Sequence, residues 1–497
     1  MRIENKAGRI IETEINRKIY KPFFGAKKYR CNSKVVSLSD ALLKCGLRDG
    51  LTISFHHQLR NGDKIINMTL KALHELKFKN IRMAQTALFN VHEPVIEFIK
   101  EGVVNRIEGS INGVVGDYIS KNPLPSPVIL RSHGGRWAAI KTHELPIDIA
   151  VITASSSDNM GNCTGIIGKS AFGPLVYSQI DAQMAKKVIV VTDNIVEYPC
   201  KYQEITEESV DFVVKVDGIG DPKNIVSGTT KITDDSKKQE IAHSCIDLME
   251  AAGIIKDGMT FQSGAGGISL AVTKYLGERL EEKNVTAEFA IGGITKYLTD
   301  IYENGRIKKL YFGQCFDSEC ASYIAKRAEV PILNVGHYAD PLSKSRSVDN
   351  LDVVVLGATE VDTGFNVNVN THSDGRMLHG IGGHQDTAAG ARFTIITAPL
   401  YRKKNPIVKE KVTTITTPGD VVDAIVTNEG IAINPKRKDI IEKIEEELDI
   451  VSIEDLKDKA YSVTGKPAEL DLGEEIVGII KWIDGTVLDI VKRVKEK

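Results

Sequence analysis

The stretch MTFQSGAGGISLAVTKYLGERL, residues 259–280, decides the fold class. Met259–Gln262 reads as a strand that runs into Gly264. Beyond it Ile268, Ala271, Val272, Tyr275, Leu276 and Leu280 keep a helical apolar period. A strand, a glycine turn and a helix make the repeating unit of a mainly parallel α/β sheet. The same alternation recurs on both sides of this stretch. Downstream, the strand candidates are AEFAIGG (287–293), KKLYFGQ (308–314), LDVVVLGA (351–358), FTIITAP (393–399) and DAIVTNEG (423–430), with an acidic–apolar helix near 439–450. Upstream they are GLTISF (50–55), PVILRS (127–132), IDIAVITA (147–154), KKVIVVTD (186–193) and DFVVKVD (211–217). SLSDALLKCGL (37–47) reads as a helix with Ser39 as its N-cap. The polar stretch GTTKITDDSKKQE (228–240) separates the two alternations. The expected organisation is therefore an extended N-terminal arm over 1–35, a first open α/β domain over 36–232 and a second over 233–497.

In open parallel sheets, ligands bind beyond the carboxyl ends of the strands. HHQLRNGD (56–63), HGGR (133–136), SSSDNMGN (155–162) and DNIVEYP (193–199) all follow strand candidates, which points to a site in the cleft between the domains.

Composition restricts the function. The chain has 497 residues, 42% hydrophobic and 26% charged, as a soluble globular protein has. A net charge of −2 argues against a dedicated nucleic-acid binder. Seven cysteines without CxxC spacing suggest reduced thiols and a cytoplasmic location. The charged N-terminus does not resemble a signal peptide, and no apolar run is long enough to span a membrane.

The glycine-rich stretches are less specific. GIIGKS (165–170) resembles the end of a Walker A loop, but Cys163 stands where the first glycine is required. GAGG (264–267) misses the dinucleotide fingerprint because Ser269 replaces its third glycine. Its strand-to-helix context still suits an anion held by bare backbone N–H groups, against the alternative of close helix–sheet packing alone. HGIGGHQDTAAGA (379–391) allows a phosphate cradle, a metal site, an oxyanion loop or a tight turn. His379 and His384 are five apart and glycines oppose a helix, so no metal is expected. His56 and His57 are adjacent and point to opposite faces of a strand, so at most one serves a given site. Cys163 lacks a motif that would give it a base and reads as an inert buried thiol.

Long segments go beyond fold class. TISFHHQLRNGDKIINMTL (52–70), VILRSHGGR (128–136), SSSDNMGNCTGIIGKSAFG (155–173), VVTDNIVEYP (190–199), FQSGAGGISLAVTKYL (261–276), GGHQDTAAGARFTIITAPL (382–400) and VTTITTPGDVVDAIVTNEGIAINPKR (412–437) resemble, in this order, the citrate lyase alpha subunit family. The resemblance implies two CoA-transferase-like domains and a citrate CoA-transferase activity: citrate replaces acetate on the thioester of an acyl carrier protein. It implies beta and gamma (carrier) subunits as partners in a multi-subunit oligomer. It implies no cofactor bound covalently to this chain, which would act on the phosphoribosyl-dephospho-CoA thioester of the carrier or on CoA thioesters.

More distantly, the C-terminal half resembles acetyl-CoA hydrolases and transferases. That likeness puts CoA binding on Gly264, Ala265, Gly266, Gly267 and Ile268, and oxyanion donors on Gly380, Gly382 and Gly383. The acyl-accepting glutamate of that wider group does not carry over: its place falls at or beside Gly292, and Glu429 is one position displaced from the other carboxylate. A covalent route needs a protein nucleophile. Without one, a citrate carboxylate attacks the thioester itself and a mixed anhydride forms in a ternary complex. Gly382, Gly383 and His384 are the expected catalytic residues. Arg60, Arg131, His133 and Arg136, all past strand ends, are the expected citrate ligands, because a guanidinium suits a carboxylate. Asp386 is expected to bond loop N–H groups. The alternatives are a free-standing acyl-CoA transferase, a citramalate CoA-transferase, or a scaffold subunit without activity.

Overall fold

A computed structural model describes residues 2–4, 7–12, 33–226, 232–264, 266–327 and 331–495. The chain forms two compact units, Met1–Ser33 and Lys34–Lys497. In the first, Arg2–Glu4 pairs antiparallel with Ile10–Glu12, where an irregular arm was expected. Residues 13–32 of that arm lie outside the described residues, and its last residue, Val35, belongs to a strand of the second unit.

The second unit is built on two seven-stranded sheets. The first has the order Val35–Val36, Phe212–Lys215, Lys187–Thr192, Ile149–Ala154, Thr52–Phe55, Ile81–Gln85, Val104–Ile107, and every pairing is parallel. The second has the order Ile307–Cys315, Ala287–Ile294, Thr260–Ser263, Val353–Gly357, Thr394–Thr397, Ala424–Thr427, Gly430–Ile433, parallel except for its last hairpin. Helices cover the faces, so the inner strands are buried on both sides, as the wholly buried Ile149–Ala154 and Thr394–Thr397 are. Such strands read in sequence as unbroken apolar runs. The mixed α/β class with mainly parallel sheets is the expected one. No helix among the described residues is long and apolar enough to cross a membrane.

Two details differ from expectation. Ser37, not Ser39, caps the helix Leu38–Lys44: its hydroxyl accepts from the Asp40 N–H and donates to the Asp40 carboxylate at 2.7 Å. PVILRS forms the strand Val128–Leu130, but outside the large sheet; it lies parallel to Leu472–Lys481, which pairs antiparallel with Val487–Val494. The C-terminal hairpin thus adds to an element of the first half, and Lys34–Lys497 is one unit. The expected boundary at 232–233 adjoins residues 227–231, which lie outside the described residues.

Candidate active site

The carboxyl ends of both sheets face one cavity of about 840 Å³. From the first half it is lined by His57 and Arg60, just past Thr52–Phe55, by Thr86, Phe89, Ser110 and Asn112, by His133 at the start of the helix His133–Lys141, and by Tyr177. From the second half come Gln262–Gly264, Gly266–Ser269, Gly292, Gly293, Gln314, Phe316, Tyr338 and the run Leu378–His384. This is the place that the topology favours for a ligand.

The rings of His57 and His133 are stacked with centroids 6.0 Å apart, and Tyr177 contacts them at 4.6 and 4.8 Å. His57 Nδ1 lies 2.6 Å from Thr86 Oγ1. Burial, with His133 and Arg60 adding to it, holds His57 well below the usual imidazole range. Burial and then Arg136 bring His133 down to about 4. Both rings are therefore neutral near pH 7 and offer one N–H each. His56 faces the other way, toward Asp181 at 3.3 Å, so one histidine of the pair serves the cavity.

Four cationic or imidazole residues were expected to hold citrate, and the structure brings two of them to the cavity, Arg60 and His133. The Arg60 guanidinium lies between the Phe89 and Phe316 rings, 5.3 and 5.0 Å from their centroids. Its backbone is left-handed, φ 52°, an uncommon conformation outside glycine that fixes the direction of the side chain. Arg131 and Arg136 do not line this cavity. Arg136 grips both oxygens of Asp181 at 2.9 and 2.8 Å and the Ala84 carbonyl at 2.9 Å. Burial pushes the Asp181 carboxyl up, but Arg136 and His56 outweigh it and hold the group below the usual range. Arg131 is bound by Glu108 and Glu144, each at 2.7 Å. These two arginines already have their carboxylates, from partners remote in sequence.

The glycine run 380–383 is shaped by its neighbours. A Cβ on Gly380 would come within 1.9 Å of Ser110 Oγ, and one on Gly383 within 2.7 Å of Tyr338 Oη. Gly382 has φ +63°, and its carbonyl accepts from the His133 N–H at 2.9 Å. Among the described residues the N–H groups of Gly382 and Gly383 find no acceptor, although both glycines line the cavity. His384 begins the helix His384–Gly390 and has both ring nitrogens engaged: Nδ1 lies 2.7 Å from Thr417 Oγ1 and Nε2 3.1 Å from the Gly357 carbonyl. A carbonyl only accepts, so Nε2 carries the proton and Nδ1 accepts from Thr417. Burial brings this imidazole down to about 4. Asp386 reaches across to the other half, accepting from Ser132 Oγ at 2.7 Å and the Gly134 N–H at 3.1 Å. Burial pushes its carboxyl up to about 6 against the pull of those donors.

At the opposite wall, Gly264, Gly266, Gly267 and Ile268 lead into the helix Gly267–Glu282, whose first N–H groups have no partner within the helix. Ala265 lies outside the described residues. Next to this turn stands Gly292, φ +107°, at a bulge in the pairing with Ile307–Cys315. A Cβ there would lie 2.8 Å from Gln262 Cδ, and one on Gly293 would lie 1.8 Å from the Phe316 ring. A side chain at Gly292 would have to displace the Gln262 amide, and one at Gly293 the Phe316 ring. Glu429 does not line the cavity; it pairs with Lys459. The residues missed from sequence are Tyr177, Tyr338, Gln262 and Gln314. The two glutamines close the strand candidates MTFQSG and KKLYFGQ, so the strand-end rule that found His57 would have found them.

The model of the citrate lyase alpha subunit family matches residues 32–494. A citrate lyase alpha chain of Haemophilus influenzae is 43% identical over 462 residues, 93% of this chain and 92% of that one. A solved structure described as the alpha subunit of citrate lyase in complex with citrate, from Streptococcus mutans, superimposes with a TM-score of 0.92 at 41% identity, covering 96% of this chain and 93% of that one. A 4-hydroxybutyrate CoA-transferase of Porphyromonas gingivalis, 17% identical, shares the fold, with a TM-score of 0.56 over 86% of this chain and 96% of that one. The chain belongs to the citrate lyase alpha subunit family.

Proposed function

We propose that the chain is the citrate CoA-transferase component of a citrate lyase and exchanges acetate for citrate on an acetyl thioester without a protein nucleophile. The likeness to the citrate-bound Streptococcus mutans subunit supports the substrate. The wall at Gly292, where the Gln262 amide takes the place a carboxylate side chain would need, is the observation that carries the mechanism. A citrate carboxylate attacks the acetyl carbonyl, the carrier thiolate leaves, and a mixed anhydride forms. The thiolate then attacks the citryl carbonyl and expels acetate, with one bond made and one broken at each step. Each tetrahedral intermediate carries an oxyanion, which the bare N–H groups of Gly382 and Gly383 suit. A single donor of that kind is worth roughly 3–4 kcal/mol. Holding both reactants in one cavity contributes effective molarity worth roughly 7–11 kcal/mol. His384, locked between Thr417 and Gly357, keeps the glycine run in place. Arg60 supplies charge for a citrate carboxylate, and Gly264 with Gly266–Ile268 takes the phosphate-bearing arm of the thioester.

The thioester is that of a carrier subunit with a phosphoribosyl-dephospho-CoA group, the beta subunit cleaves the citryl product, and the three chains work as a cytoplasmic complex. The test is the isolated chain with citrate and an acetylated thiol donor. Citrate-dependent release of acetate with formation of a citryl thioester supports the reading. Acetate release independent of citrate, or none at all, overturns it.

A further inference from the structure

Three adjacent strands of the second sheet end side by side at the cavity: Thr260–Ser263 with Gln262, Ala287–Ile294 with Gly292 and Gly293, and Ile307–Cys315 with Gln314. Gln314 is the register partner of Gly293. Two glutamines thus flank the glycine pair Gly292–Gly293, and each is tied to a tyrosine. Gln262 and Tyr338 exchange hydrogen bonds at 2.9 and 3.1 Å. Gln314 Oε1 accepts from Tyr177 Oη at 3.1 Å, and His133 Nε2 lies 3.4 Å from the same tyrosine oxygen. The Tyr177 hydroxyl has one proton, which it gives to Gln314; its oxygen is then free to accept from His133. This order turns the amide so that Nε2 points away from Tyr177. Gln314 is 3% exposed, lines the cavity, and its Nε2 has no hydrogen-bond partner among the described residues. A buried donor without an acceptor is costly and calls for a ligand atom.

We infer that Gln314 Nε2 binds and orients the citrate carboxylate that attacks the thioester, with Tyr177 and His133 as positioning residues behind it. The assignment rests on the transfer proposed above. Its chemistry suits a nucleophile: a neutral amide fixes the direction of a carboxylate, whereas a cation bound directly to it would withdraw charge from the attacking oxygen. Arg60, whose guanidinium stacks on Phe316 two residues from Gln314, then holds a carboxylate that does not react.

The experiment measures citrate affinity by calorimetry and exchange kinetics with an acetyl thioester, on the full chain, for the wild type, Gln314→Leu, Gln314→Glu and Tyr177→Phe. Gln314→Leu is expected to lower kcat at saturating citrate by about tenfold or more while citrate Kd shifts by less than about threefold, since one oriented donor is lost and the charge is kept. Gln314→Glu puts an acceptor where the donor stood and weakens citrate binding by about tenfold or more, a readout that stands if the leucine variant does not fold. Tyr177→Phe lowers kcat less than Gln314→Leu does. Wild-type kcat in Gln314→Leu, or wild-type citrate affinity in Gln314→Glu, overturns the assignment. A wild type that exchanges nothing for citrate overturns the proposed transfer, and this assignment with it.

Discussion

Substituting Gly292→Ala tests the closed wall directly. Two costs follow from the structure. The backbone sits at φ +107°, where an L-residue is disfavoured by roughly 1–2 kcal/mol. The added Cβ would come 2.8 Å from Gln262 Cδ and 3.0 Å from both amide heteroatoms, so Gln262 must move and lose Tyr338, at a further ~1 kcal/mol. The variant should therefore be less stable by roughly 2–3 kcal/mol, seen as a lower urea midpoint with an unchanged slope. A double-mutant cycle separates the two terms. In a Gln262→Ala background the steric part disappears, and the remaining cost of Gly292→Ala is the backbone term alone, about 1–2 kcal/mol. A Gly292→Ala protein as stable as the wild type would refute the reasoning, because a side chain could then stand at this wall and a protein nucleophile would not be excluded by space.

Other outcomes follow from the same geometry. Arg60→Ala should raise the citrate KM by about ten- to a hundredfold, the worth of one charge-assisted bond, with a smaller change in kcat at saturation. Arg136→Ala should act on stability instead, costing about 3–5 kcal/mol because Asp181 is left charged and buried, and the citrate KM of the folded fraction should be that of the wild type. Glu204, buried among Thr164, Gly165 and Leu175, is pushed up to about 7 by burial. Its folded value is above its unfolded one, so its contribution is fully present below about pH 4.5 and lost as pH rises through about 7. Between pH 5 and 8 the wild type should lose up to about 3 kcal/mol relative to Glu204→Gln, measured by urea unfolding at each pH. Equal slopes for the two proteins would contradict this.

Much of the fold was legible because inner parallel strands are apolar on both faces. Ile149–Ala154, Lys187–Thr192 and Val353–Gly357 announce themselves as runs. Ile81–Gln85 and Val104–Ile107 did not, since Arg82, Asn105 and Arg106 interrupt them toward one edge of their sheet. Val128–Leu130 was legible as a strand but not in its pairing, which a hairpin at the other end of the chain decides. The same holds for the site. Local order placed His57, Arg60 and His133 beyond strand ends, the family resemblance pointed to the glycine run, and the cavity contains them all. What local order does not carry is which arginine is already neutralised. Asp181 and Glu108 take Arg136 and Arg131 from elsewhere in the chain, and only Arg60 and His133 of the expected set face the cavity. Gly292 was read as an absence; the structure shows its space filled by Gln262.

The central claim, direct attack by citrate, is tested most directly by one turnover with citrate labelled with heavy oxygen in its carboxylates and stoichiometric acetyl thioester. If citrate attacks the acetyl carbonyl, the bridging oxygen of the anhydride comes from citrate and leaves with acetate. Each acetate released in the first turnover should therefore carry one labelled oxygen. Unlabelled acetate in that turnover, with the label retained on a carboxylate of the protein, would contradict it.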